Sequence, residues 1–112
     1  MAKIGRFTQA QLHFAIRRAL IAQAGEVIVF ATTTRRHAWH IIWPYVVEAA
    51  KENGWELLSN MRVKTPNGAF LLILETDNRE RLRGQSFDRV IFDENVPPEA
   101  EQLIRLATRP HG

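Results

Sequence analysis

Val27-Ile28-Val29-Phe30-Ala31 is an unbroken apolar run rich in β-branched residues. A strand with one wet face alternates polar and apolar positions, so a run with no polar position reads as a strand covered on both faces. Ala69-Phe70-Leu71-Leu72-Ile73-Leu74 and Val90-Ile91-Phe92 have the same character. Between them lies a helical stretch. Two apolar strands separated by a helix favour a parallel pair with a right-handed crossover, and the fold class follows as α/β.

The remaining elements fall around these strands. Leu12, Ile16, Ala19 and Leu20 recur at helical spacing, with Thr8 as a candidate cap and Gly25 as the stop. Thr32-Thr33-Thr34 ends the first strand and can cap the next helix, expected from about Arg36 to Asn53 with Gly54 beyond it. Pro44 inside that helix implies a kink, or a start nearer Ile42. Residues 55–58 and 61–64 read as extended, and Pro66-Asn67-Gly68 as a hairpin turn leading into 69–74. The stretch 77–85 is a polar, arginine-rich connection. Phe87 to Phe92 forms a strand, and Glu99 to Leu106 a closing helix behind Pro97-Pro98. One domain is expected, with 1–7 and 108–112 as flexible ends.

A chain of 112 residues suits a single core, and 46% hydrophobic with 24% charged residues is ordinary for a globular domain. No apolar run is long enough to span a membrane, and no signal-peptide core follows Met1. The absence of cysteine excludes disulfides and thiolate metal sites, and fits a cytoplasmic protein. A net charge of +3 favours a polyanionic partner. Arg35, Arg36, Arg79, Arg81 and Arg83 carry that expectation, because clustered guanidinium groups offer planar, bidentate donors to phosphate. Arg17 and Arg18 read as solvated helix surface.

Other combinations are less productive. His37 and His40 lack a third ligand at a supportive spacing, so they read as capping or surface residues. Glu75 and Asp77 could join Asp93 and Glu94 in a two-metal site only if strand ends converge. No serine or threonine has a His-and-acid constellation of recognisable order. Trp43 and Trp55 read as core, while Trp39 is free to stack on a base.

Asp93-Glu94 at the end of an apolar strand is how P-loop NTPases place a Mg²⁺-holding carboxylate beside one that orients water. Upstream stand Val27 to Thr34, the turn Lys64-Thr65-Pro66-Asn67-Gly68-Ala69-Phe70, and Arg83-Gly84. In this order the motifs resemble the middle portion of the P-loop ATPase core of phage terminase large subunits and related helicases, over roughly Thr8 to Leu106. The resemblance implies a truncated P-loop-like sheet of two parallel strands plus a β-hairpin, flanked by three helices. It also implies Asp93 as the Mg²⁺-organising residue, Glu94 as the water-orienting one, and Arg6 and Thr8 where a nucleotide's phosphates would lie.

The phosphate loop G-x-x-x-x-G-K-[ST] is nowhere in the chain; Gly5-Arg6-Phe7-Thr8 stands in its place. Without glycine-rich backbone to wrap a phosphate, the expectation is a non-catalytic, phage- or prophage-derived domain with no resident cofactor. It would act by binding DNA or a DNA-processing assembly. Two alternatives accompany it: an ATP-hydrolysing half-site, with Mg²⁺ and ATP, completed by a partner that supplies the phosphate loop, and a protein-interaction module or inhibitor that binds no nucleic acid. The strand at 87–92 should present an unpaired apolar edge, available to a homodimer, a partner, or the first or last helix.

Overall fold

The computed structural model describes residues 5–77, 87–94 and 96–108. Five strands form one mixed sheet: β1 (Val27–Thr32), β2 (Glu56–Leu58), β3 (Arg62–Lys64), β4 (Phe70–Glu75) and β5 (Arg89–Phe92), in the order β2-β3-β4-β1-β5. The apolar run β1 is central and pairs in parallel with β4 on one side and β5 on the other. β3 and β2 extend the β4 side in antiparallel fashion. The α/β class is therefore observed, but the sheet is larger than expected. The return strand of the Asn67-Gly68 hairpin is itself a parallel neighbour of β1, so three strands are parallel among the described residues.

Helices cover both faces, as the apolar strands require. Along β1, Ile28 and Phe30 point to one side and Val29 and Ala31 to the other; β4 and β5 alternate in step. The first face packs against α1 (Arg6–Leu20) and against a continuous helical run made of α2 (Arg35–His37), a π-helical turn (Ala38–Ile42) and α3 (Trp43–Asn53). Leu12, Ile16, Ile42 and Val46 meet Phe30, Leu71, Ile73 and Ile91 there. The opposite face receives α4 (Pro98–Ala107), whose Ile104 packs with Val29, Leu72, Leu74 and Phe87. No helix among the described residues is long and apolar enough to cross a membrane.

Three local expectations change. Thr8 does not cap α1: Gly5 holds that position without a side-chain bond, and Thr8 lies buried within the first turn. The helix ends at Leu20, before Gly25, which instead serves the turn into β1 with φ 86°. Pro44 lies in the first turn of α3, which starts at Trp43 with Ile42 as its cap, near the expected later start; the change is that the helical run continues upstream of it. The π turn just ahead absorbs it: the Trp43 N–H reaches back five residues to the Ala38 carbonyl. This widened turn stands where the N–H missing from Pro44 would have bonded the His40 carbonyl.

Strand β5 lies at the edge of the sheet, as expected, although its regular ladder begins only at Arg89. Phe87 instead forms an isolated parallel bridge with Thr108, just past α4. The arginine-rich connection bearing Arg79, Arg81 and Arg83, and the end from Arg109, lie outside the described residues.

Candidate functional site

Parallel strands bring their C-terminal ends to one edge, and α/β proteins place ligand chemistry there. The Ala31↔Phe92 register sets Thr32, the last residue of β1, beside Asp93, which follows β5. The first turn of α1 lies over the same edge and contributes Thr8. After β1, the Thr34 hydroxyl accepts the His37 N–H at 3.1 Å, starting α2 in a direction that carries the His37 imidazole back to the carboxylate.

Asp93 is the centre of this arrangement and is 5% exposed. Its Oδ1 accepts the Thr8 hydroxyl at 2.6 Å and the Glu94 backbone N–H at 2.8 Å. Its Oδ2 accepts the Thr32 hydroxyl at 2.8 Å and faces His37 Nε2 at 3.2 Å. A carboxylate offers about four lone-pair sites, and protein groups approach all of them. One side chain thus joins α1, β1, β5 and α2, and no buried side-chain polar atom among the described residues is left without a partner.

Sequence reasoning singled out Asp93 and Thr8 separately; the fold brings them into contact. Thr8 and Asp93 are the donor types that hold Mg²⁺ in a P-loop enzyme. The rest of the set does not fit a magnesium site as it stands. Mg²⁺ needs near-octahedral oxygen coordination, and the Asp93 oxygens are already engaged by protein donors. No group of three potential metal-ligating His, Cys, Asp or Glu side chains occurs among the described residues. Glu94 is exposed beside Asp93; its backbone N–H donates to Asp93 Oδ1, and its side chain takes no part in the bonds of that carboxylate. Glu75 is buried at the end of β4, paired in register with Thr32, and Asp77 is exposed beyond it. Arg6 is exposed and lines a groove on the outer face of α1 with His13, Phe14 and Arg17.

A second feature adjoins the carboxylate. Arg35, Arg36, Trp39 and His40 surround a hollow of about 350 Å³ at the start of the second helical run. Both arginines are exposed and make no ion pair or side-chain hydrogen bond among the described residues. Trp39 is 52% exposed, an unusual position for so large an apolar ring, whereas Trp55 is buried and Trp43 packs against the core. Arg17 is exposed as expected, and Arg18 forms an ion pair with Glu26 at 3.3 Å.

The role of His37 was missed. Its available signal was the spacing: three residues after Thr34, it falls where a capped first turn points back over the strand ends. The chain matches no family model, no curated protein and no solved structure.

Proposed function

We propose that this domain is a non-catalytic, P-loop-like module that binds single-stranded DNA through Arg35, Arg36, Trp39 and His40. The observation that carries this reading is a half-exposed tryptophan set among two unpaired arginines and a histidine. Base stacking on an aromatic ring combined with phosphate-facing cations is the general solution for binding single strands without reading sequence. The engaged state of Asp93 supports a structural carboxylate in place of a catalytic one, and the Thr8–Asp93 bond supports the P-loop kinship.

Titration of labelled oligothymidylate and of a matched duplex at two salt concentrations tests this. Single strands should bind more tightly, with affinity falling as salt rises, because phosphate contacts release counterions. Replacing Arg35 and Arg36 by Ala should flatten the log–log slope by roughly 1.4, about 0.7 for each lost contact. No binding to either oligonucleotide would overturn the reading and favour a protein-interaction module.

The same Thr8–Asp93 bond favours a second reading, an ATPase half-site awaiting a partner's phosphate loop. It requires magnesium-dependent ATP hydrolysis in some complex, lost on Glu94→Gln. Such turnover by the pure protein would overturn the non-catalytic reading.

A further inference from the structure

α1 buries one face against the sheet through Thr8, Leu12, Ala15, Ile16 and Ala19. Its opposite face is apolar in part. Phe7, Phe14 and Ile21 are 49%, 57% and 74% exposed. Intervals of seven residues are close to two helical turns, so these side chains stand in one line along α1. Single exposed apolar residues are ordinary, whereas an aligned set beside a groove marks an interaction surface.

The groove is a hollow of about 810 Å³ on that outer face. One wall is Arg6, Ala10, Phe14 and Arg18, and the other is Gln9, His13, Arg17 and Ile21. Each wall is a row of residues four apart, so the hollow is the furrow between two i±4 ridges of the helix. Ala10 makes the lowest point of its wall. From Arg6 to Ile21 the furrow runs about 22 Å, at a rise of roughly 1.5 Å per residue. His13 Nδ1 lies 3.1 Å from the Tyr45 hydroxyl, which ties one wall to α3. Such furrows receive the ridge of another helix. A ridge of every third residue fits at a crossing of about +20°, shallow enough to keep two helices in contact over this length.

Charge defines that helix. The residues of the furrow include no carboxylate. Arg18 pairs with Glu26 at 3.3 Å, whereas Arg6 and Arg17 are exposed and make no ion pair among the described residues. Arg17 suits the carboxyl end of α1, where the helix dipole is negative. Arg6 stands at the amino end, where a cation is disfavoured and gains most from an outside carboxylate. The rest of the chain's own sequence offers no complement: 1–4 and 109–112 contain no Asp or Glu, and 78–86 contains three arginines and one glutamate. Pairing α1 with the α1 of a second copy would bring cations together with no acid on either helix.

We propose that this face of α1 docks an acidic amphipathic helix of a different protein. The apolar residues of that helix recur at alternating intervals of three and four and pack against Phe7, Phe14 and Ile21. Two carboxylates on its flank lie about eleven residues apart, matching Arg6 and Arg17, which are roughly 16 Å apart along α1. The inference does not rest on the nucleic-acid reading, whose residues belong to the second helical run.

Selection from a displayed library of three-heptad helical peptides, randomised along one face, tests it. The selected peptides are then mapped by amide chemical shifts of the protein. Enrichment of apolar seams flanked by Glu or Asp, with shifts concentrated in residues 6–21, is the expected result. Ala10→Trp fills the furrow from an exposed helix position, and should weaken binding about tenfold or more with an unchanged circular dichroism spectrum. Arg17→Glu should weaken the acidic peptides about tenfold and favour versions carrying Lys in place of their acids. No enrichment, enrichment of basic or uncharged peptides, or binding that survives Ala10→Trp would overturn the proposal. So would shifts of the same α1 amides caused by self-association, by phosphatidylserine vesicles or by oligothymidylate.

Discussion

The Thr8 hydroxyl donates to Asp93 Oδ1 at 2.6 Å across 85 residues of sequence, fastening the first turn of α1 to the end of β5. The other Asp93 oxygen accepts from Thr32 and faces His37, so the carboxylate fastens α1 and β5 to the consecutive pair β1 and α2. A buried network of this kind stabilises while complete and is costly when one member is removed.

Asp93→Ala should therefore be among the most damaging single changes outside the apolar core. It leaves the hydroxyls of Thr8 and Thr32, both buried, without their acceptor. An unsatisfied buried group costs about 1–3 kcal/mol, so a loss of roughly 2–4 kcal/mol in urea denaturation is expected. Asp93→Asn retains one carbonyl acceptor and should cost less. Equal stability of the two variants would show that the carboxylate does not organise this edge.

Thr32→Val and His37→Ala separate the buried from the accessible side of the network. The His37 side chain is 35% exposed, and a polar contact on that accessible side contributes at most about 1 kcal/mol. Thr32 is fully buried, and its loss deprives a buried charge of a donor, at about 1–3 kcal/mol. Chemical denaturation should rank Thr32→Val as the more destabilising change.

Trp39→Ala should divide binding from stability. The ring is half-exposed and outside the core clusters, so unfolding free energy should change by less than about 0.5 kcal/mol. Stacking of a base on an aromatic ring contributes about 1–3 kcal/mol, so affinity for oligothymidylate should fall from several-fold to over a hundredfold. A marked loss of thermal stability without loss of binding would reassign Trp39 to packing.

Phe30→Ala and Gly54→Ala test the scaffold. Phe30 is fully buried between α1 and the second helical run, and its truncation should cost about 3–5 kcal/mol. Gly54 ends α3 in the left-handed region, at φ 69° and ψ 29°, with open space around its α-carbon. A side chain there meets backbone strain and no clash, so calorimetry should register about 1–2 kcal/mol.

Local chemistry by itself determined the elements and the fold class. The apolar runs of β1 and β4 required cover on both faces, Asn67-Gly68 required a turn, and Gly54 required a helix end, all within a few residues of the backbone concerned. The sequence also marked Asp93, because a charge at the end of an apolar strand is conspicuous. The order β4-β1-β5 was beyond it: which strands flank β1 depends on packing between segments tens of residues apart. So did the π turn, where tertiary packing decided how Pro44 would be accommodated. Only the tertiary structure decided what Asp93 touches, because Thr8, Thr32 and His37 become its partners through the convergence of parallel strand ends beneath a helix N-terminus. The edge position of β5 was legible, with cover by the first or last helix among the alternatives; that residues of both helices flank it was decided by the tertiary structure, since they come from opposite ends of the chain.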